Sequence, residues 1–215
     1  MFDLPFLFGK KSGQSAKPVL APEQQQLHDL LHGKHYNDCL RGRVFSQSTT
    51  PLGLAIPIYT GTAIAGGQPI WNPPNSGVNV ELIAVCCGRA SGTSDFGAVG
   101  LMARELAAIA TGAICTAFAE TTPFNGLLFG GNKSKVKSSN AGTVTVSAGV
   151  AGDWARTLFT HGAEADATAS PIREHLYDFE GTVIVPPGVL VYLADTKATT
   201  ALYATTIVWK ETPAE

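Results

Sequence analysis

The chain has 215 residues, of which 45% are hydrophobic and 15% are charged, and its formal net charge at pH 7 is −2. An ordinary soluble domain carries about 25% charged residues, so part of this weakly charged surface is expected to contact protein. Residues 1–43 hold six Lys or Arg against four Asp or Glu, and residues 44–215 hold nine against thirteen. Neither balance provides the dense basic patch that nucleic-acid binding requires, and the length allows a stable core without a disulfide or metal.

The four cysteines, Cys39, Cys86, Cys87 and Cys115, lack the spacing of metal ligands and are interpreted as free thiols. The first residues lack the basic segment that opens a secretory signal, and no apolar run approaches membrane-spanning length. We therefore expect a protein made in a cytoplasm, with no cofactor and no membrane contact.

Residues 1–43 form a predicted N-terminal arm that is too short to bury its own aromatic residues. One short helix is predicted at residues 22–31, because Pro22 suits a first helical position and Gly33 a stop. The large apolar side chains of the arm are expected to anchor the protein to a partner. They are Phe2, Phe6, Phe8, Leu27, Leu30 and Leu31.

The body is predicted to span residues 44–215. It opens with 37 residues, Val44 to Val80, that contain no formal charge. An uncharged surface of this extent predicts an interface. Proline and glycine interrupt the segment, so we expect short strands rather than a helix. Residues 54–59 and 78–87 are the strands predicted at this end of the chain.

Further short strands are predicted by alternating apolar residues between Gly and Pro turns. They cover residues 98–103, 113–119, 125–131, 143–148 and 155–160. Residues 102–110, MARELAAIA, resemble a helix by propensity, but flanking glycines favour a loop or a single turn between the strands at 98–103 and 113–119.

The last part of the body, Tyr177 to Glu211, contains three runs that alternate with period two. The first two runs are separated by Pro186, Pro187 and Gly188, which suit a tight turn. Both faces of these strands are largely apolar, so both are expected to be covered by protein, most simply by a second copy of the chain.

About nine or ten short strands predict an all-β protein. We expect an antiparallel β-sandwich of jelly-roll type, because the Cys and Trp framework of immunoglobulin domains is absent. A closed homotrimer would bury the uncharged surfaces and remove exposed sheet edges.

Several patterns were weighed as sites. His161, Glu164, Asp166 and His175 are the densest set of potential ligands, but they lack a complete two-histidine, one-carboxylate arrangement. The segment 129–134, FGGNKS, lacks the glycine that precedes the lysine in a phosphate loop, and no nucleophile elbow is present. The sequence therefore predicts no catalytic residue, no metal site and no enzyme.

The aromatic residues allow two interpretations. They could line a sugar-binding groove, but core or subunit packing is the commoner fate of such side chains. Trp71, Tyr203 and Trp209 are the residues that we expect at a subunit interface.

The body resembles small virion proteins of tailed bacteriophages. The resemblance covers roughly residues 53–211 and depends on the segments GLAIPIYTGTA, WNPPNSGVNVELI, ETTPFNGLLFGGNKSK and GTVIVPPGVLVYL, with TTIVWKE near the end. It implies a multimeric β-sandwich in the phage particle and carries over no catalytic residue. The first 45 or so residues lie outside it.

Two functions follow as hypotheses. The first is a non-enzymatic virion protein that decorates or stabilises the capsid as an oligomer, anchored by its arm to the major capsid protein or another virion protein. The alternative is a tail or fibre module that binds a host-surface glycan.

Overall fold

The computed structural model describes residues 33–59, 65–105, 115–116, 118–128, 130–140, 144–146, 152–163, 174–197 and 200–214. The chain separates into two units, Met1–Asn37 and Asp38–Glu215, and the strands all belong to the second. Among the described residues, no helix has the length and apolar character needed to cross a membrane.

Antiparallel strands dominate the described residues, and the single helix, α1 at Tyr36–Leu40, has only five residues. The strands are β1 Val44–Ser48, β2 Ala65–Asn72, β3 Val78–Ser91, β4 Gly97–Glu105, β5 Cys115–Thr116, β6 Phe124–Asn125, β7 Lys137–Ser138, β8 Val144–Val146, β9 Asp153–His161, β10 Glu174–Asp178, β11 Ile184–Val185, β12 Val189–Asp195 and β13 Leu202–Pro213.

These strands form two sheets. Sheet 1 has the order β10-β3-β13-β1-β6, and β11 pairs with the same edge of β3 as β10. Sheet 2 has the order β5-β8-β2-β12-β4-β9, and β7 also pairs with β2. The prediction of an all-β, two-sheet antiparallel architecture is confirmed.

The main core lies between the two sheets. In β13 every second residue is buried, and Tyr203, Ile207 and Trp209 join the same apolar cluster as Val191 and Leu193 of β12. The ring of Trp209 stacks on that of Phe45 with centroids 6.2 Å apart. The period-two pattern of β13 thus directs one face to the core and leaves the other half-exposed.

A second cluster lies on the opposite face of sheet 2. It contains Trp71, Met102, Leu190, Tyr192 and Ala194. Tyr59, Phe118 and Trp154 of the same chain pack against it. The prediction that both faces of β12 are covered by protein is confirmed, but side chains of the same chain take part in that cover.

Several predicted elements differ from the structure. Residues 54–59 form only two isolated bridges, from Leu54 to β13 and from Ile58 to β12, because Pro57 removes a donor and the segment connects the two sheets. Of the described residues in 125–131, only Asn125 belongs to a strand. Within the strands predicted at 113–119 and 143–148, residues 115–116 and 144–146 are strands, and the remaining residues are either irregular or outside the described part of the chain. The predicted helix at residues 22–31 lies outside the described residues.

Candidate functional site

The outer face of sheet 1 is a sheet surface that the described residues leave partly open. Residues of β3 and β13 that point away from the core are small or neutral: Ala84, Cys86 and Gly88 on β3, and Ala204, Thr206 and Val208 on β13. The register continues this surface across the sheet, because Thr206 pairs with Cys86 on one side and with Ser48 on the other.

Three large apolar side chains extend from this face near its two edges. Leu176 of β10 pairs with Cys86 and is 72% exposed, and Ile184 of β11 pairs with Glu81 and is 61% exposed. Phe124 of β6, at the other edge, is 66% exposed. Single exposed hydrophobic residues are ordinary, but three on one flat sheet face form a patch suited to contact with protein.

The charges within this face are largely compensated. The Lys210 ammonium lies 2.8 Å from a Glu81 oxygen and 3.5 Å from an Asp38 oxygen. Burial acts to lower the pKa of Lys210, but the hydrogen bond to Glu81 and the charge of Asp38 outweigh it and raise that pKa. The cation therefore stays charged and paired, whereas the carboxylates of Glu174 and Asp178, which point outward at the β10 edge of the face, have no ion-pair partner among the described residues.

A buried hydrogen bond between His161 and Asp195 joins β9 to β12 of sheet 2, and a second hydrogen bond of His161 reaches the loop before β4. The His161 Nε2 atom lies 3.0 Å and 2.9 Å from the two carboxylate oxygens of Asp195, which is fully buried. The His161 Nδ1 atom lies 2.7 Å from the carbonyl oxygen of Asp95. Both ring nitrogens therefore face acceptors.

In this geometry neither ring nitrogen of His161 faces a hydroxyl or thiol of the described residues. A carbonyl oxygen only accepts, so Nδ1 donates to the carbonyl oxygen of Asp95, and Nε2 faces the Asp195 carboxylate. The nearby Ser94 hydroxyl donates to the carbonyl oxygen of Gly162 at 3.0 Å rather than to the imidazole. The pair therefore fastens β9 to β12 and leaves no activated nucleophile.

The adjacent cavity is small. It has a volume of about 30 Å³, and its lining includes Arg89, Phe159, His175 and Tyr203 as well as His161. A volume of this size holds about one water molecule. No substrate of ordinary size fits there.

The residues weighed as metal ligands do not come together as a group in the described part of the chain. His161 is paired with Asp195, whereas His175 stacks on Phe159 with ring centroids 4.4 Å apart. Glu164 and Asp166 lie outside the described residues. Among the residues that are described, no three His, Cys, Asp or Glu side chains are placed to share a metal ion.

The segment 129–134, which was compared with a phosphate loop, belongs to a loop that contacts the end of β13. The Ser134 hydroxyl donates to a Glu211 oxygen at 2.5 Å, and the Lys135 amide donates to the other oxygen at 3.2 Å. The loop therefore closes over the end of β13, and Phe129 lies outside the described residues.

The structure places the three expected interface aromatics inside a single chain. Trp71 is 1% exposed, Tyr203 is 3% exposed and Trp209 is fully buried. In this fold they are core residues, so contacts between copies must use other side chains. The six anchoring residues predicted in the arm lie outside the described residues.

Sequence reasoning missed the exposed side chains of sheet 1. Strand β10 was not predicted, although Leu176 stands between two polar neighbours in the sequence EHLYD. The usual alternation, with apolar residues inward and polar residues outward, is reversed in β10. His175 and Tyr177 face the core side, and the apolar Leu176 faces outward. A period-two pattern identifies two faces but does not tell which is buried.

Comparison with known proteins found no matching family model, no matching curated protein and no matching solved structure.

Proposed function

We propose that the chain is a non-enzymatic structural protein of a tailed-phage virion, which decorates or stabilises the capsid as a homotrimer. In this proposal the N-terminal arm anchors the protein to the major capsid protein or another virion protein. The observation that carries the proposal is the outer face of sheet 1, which presents three exposed apolar side chains, Leu176, Ile184 and Phe124.

The size of this face suits protein contact. Five strands at about 4.8 Å spacing and about six residues at 3.4 Å each cover roughly 500 Å². A standard interface buries about 800 Å² on each partner, so the face supplies more than half of that share before its rim is counted. A surface of this kind serves assembly better than chemistry.

The arm supplies the second part of the proposal. Phe2, Phe6 and Phe8 occur within eight residues, and an aromatic anchor inserted into a partner often dominates binding. The resemblance of the body to small virion proteins of tailed phages suggests where the protein acts, namely in a phage particle that is assembled in the host cytoplasm.

The glycan-binding alternative lacks a matching surface in the described residues. The groove between Pro51 and Glu174 on the outer face of sheet 1 has a volume of about 430 Å³, but no aromatic side chain lines it. The large tryptophans Trp71 and Trp209 are buried. Sugar sites usually present an exposed aromatic ring, and the exposed rings of Phe96 and Phe124 lie outside this groove, so this alternative is the less favoured one.

Two measurements on the same material test the proposal. Antibody labelling of purified particles, viewed by electron microscopy, is expected to place the chain on the shell, and a glycan array is expected to give no saturable binding. Labelling of the tail together with saturable binding to a sugar would support the alternative instead. Absence of the chain from the particle would contradict both functions.

A further inference from the structure

A groove of about 470 Å³ opens at the end of the sandwich where β1 begins and β13 ends. Three cationic side chains line it: Arg43 before β1, and Lys133 and Lys135 in the loop after β6. They stand out in a body that is acidic as a whole. Within the described residues, none of the three forms an ion pair with a carboxylate.

The one carboxylate in the groove is already satisfied. Glu211 is 7% exposed and accepts hydrogen bonds from the Ser134 hydroxyl, the Lys135 amide and, at 3.4 Å, the Trp209 indole. These donors stabilise its charge without using a cationic side chain. With three cations and one carboxylate, the groove keeps a net positive charge and suits an acidic surface.

The β10 edge of sheet 1 carries an acidic surface. Glu174 and Asp178 are exposed at the two ends of β10, and Glu180 is exposed in the turn that follows. The described part of the chain provides none of these three carboxylates with an ion-pair partner. Arg89 of β3, the strand beside β10, lines one groove with Glu174, and Arg156 of β9 donates to the Thr182 hydroxyl at 2.8 Å.

The two charged patches of one chain are too far apart to neutralise each other. Strand β10 is separated from β1 by β3 and β13. Three strand steps span about 14 Å, and the offset along the strands between Arg43 and Asp178 adds about four residues, or another 14 Å. That separation exceeds the Debye length of about 8 Å at physiological salt.

We propose that copies of this chain associate head to tail, with the acidic edge of one copy (Glu174, Asp178 and Glu180) docked into the basic groove of the next (Arg43, Lys133 and Lys135). The occupant is a second copy because its exposed edge has the complementary charge. The inference deepens the oligomer of the proposed function and names the surfaces that join its subunits.

This contact has the symmetry that a ring requires. It joins two different patches, so it is heterologous; such a contact gives a closed ring such as a trimer when the rotation between copies is a whole fraction of a turn, and an open filament otherwise. The alternative of pairing β10 with β10 of another copy about Leu176 would set Glu174 opposite Asp178, and like charges directly opposite are destabilising. The same contact covers Leu176, which points outward between Glu174 and Asp178, so a virion partner would use the remainder of the outer face of sheet 1.

Charge reversal in the full-length chain tests the inference. Lys133→Glu with Lys135→Glu reverses the groove, and Glu174→Lys with Glu180→Lys reverses the edge; Asp178 is kept because its carboxylate accepts the Glu180 amide at 2.8 Å. Each reversed pair is expected to raise the dissociation constant of the oligomer at least about 100-fold at low salt, because like charges then face each other. The chain that carries all four substitutions is expected to assemble again.

The readout is molar mass by light scattering, with melting temperature as a check on folding. Lys197→Glu is the matched control, since Lys197 is exposed and lies on the loop after β12, outside both patches. Its mass is expected to stay that of the wild type. Unchanged mass in either reversed pair, or failure of the fourfold variant to reassemble while it remains folded, overturns the inference.

The outcomes separate the inference from the proposed function. If the oligomer keeps its mass in every reversed variant, the head-to-tail contact is wrong, but the proposed virion function still stands. A wild-type chain that is monomeric in solution also overturns the contact. Whether the chain is a virion protein is decided by its presence in labelled particles.

Discussion

At the residue scale, Asp195 depends on His161. The carboxylate is fully buried and its side-chain partner is the His161 imidazole 2.9 Å away. His161→Ala is expected to lower the free energy of unfolding by about 3–5 kcal/mol, because removal of one partner leaves a buried carboxylate uncompensated. Urea denaturation measures this change.

A double-mutant cycle supplies the control for this pair. Asp195→Ala removes the other partner, and the doubly substituted chain is expected to lose less than the sum of the two single losses. Additive losses would show that the two side chains do not interact in the folded protein.

Gly100 of β4 makes room for an aromatic ring. A Cβ atom at this position would lie 2.2 Å from the Trp154 ring, which packs against Tyr59 and the cluster outside sheet 2. Gly100→Ala is expected to destabilise the fold by about 1–3 kcal/mol, because the ring must move out of a packed site. Gly162→Ala is the control, since the nearest atom to its Cβ is 3.8 Å away. Equal melting temperatures for the two variants would contradict the packing argument.

Two adjacent thiols differ in environment. Cys86 is exposed on the outer face of sheet 1, whereas Cys87 is 1% exposed in the core. Burial, reinforced by the neighbouring Cys86 thiol and the Asp195 charge, raises the pKa of Cys87 above its ordinary 9.0. Cys86→Ser is therefore expected to remove a fast phase of reaction with Ellman's reagent that Cys87→Ser retains.

The raised pKa of Cys87 also predicts a pH dependence. The unfolded thiol ionises first as the pH rises, so the contribution of Cys87 to stability is complete below pH 9 and is lost above it. Between pH 9 and about 10.5, the urea midpoint of the wild type is expected to fall more than that of Cys87→Ala. Parallel curves would show that Cys87 ionises alike in both states.

At the scale of elements, a buried amide joins the two sheets. Gln68 of β2 has a positive φ of 46° at a bulge opposite β12. Its amide nitrogen donates to the Gln47 carbonyl oxygen at 2.5 Å, and its oxygen accepts from the Thr205 hydroxyl. Both partners belong to strands of sheet 1, so this side chain ties one sheet to the other.

Gln68→Ala is expected to cost about 1–3 kcal/mol, because a buried hydroxyl then lacks its acceptor. Thr205→Val in the same background removes that hydroxyl and is expected to recover part of the loss. Chemical denaturation of the three chains measures both effects. A loss in Gln68→Ala below about 0.5 kcal/mol would mean that the amide contributes little to holding the sheets together.

The same elements show what the sequence predicts well. Strands β3, β4, β9, β12 and β13 were predicted because their inward residues are apolar and their turns contain Gly or Pro. Strand β1 was missed, since Gln47 faces the core within a polar network and conceals the period-two pattern. Strand β10 was missed because its apolar residue faces outward. A strand with a polar residue facing the core, or an apolar residue facing solvent, is recognised only when its neighbouring strands are known.

At the scale of the whole molecule, both proposed contact regions depend on topology. Arg43 and Lys133 are 90 positions apart in sequence, and they line one groove because the loop after β6 folds back to Glu211. Likewise, the outer face of sheet 1 combines strands from both ends of the body. The uncharged composition predicted an interface, but the aromatic residues chosen for it proved to be core residues of one chain.

The N-terminal arm also matters for the whole molecule, because we expect it to attach the protein to its partner and to contribute little to the folding of the body. Phe2→Ala, Phe6→Ala and Phe8→Ala are combined in the full-length chain. Truncating an anchoring aromatic side chain typically costs about 2 kcal/mol or more of binding free energy. Attachment is therefore expected to weaken by orders of magnitude, with little change in melting temperature or oligomer mass.

The measurement that tests the central claim most directly is quantitative mass spectrometry of purified phage particles made with the wild-type or the triple-Phe chain. The account predicts that the wild-type chain is a stoichiometric particle component and that the variant, while folded and oligomeric in solution, is depleted at least about tenfold. A wild-type chain absent from the particles, or a variant incorporated at the wild-type level, would contradict it.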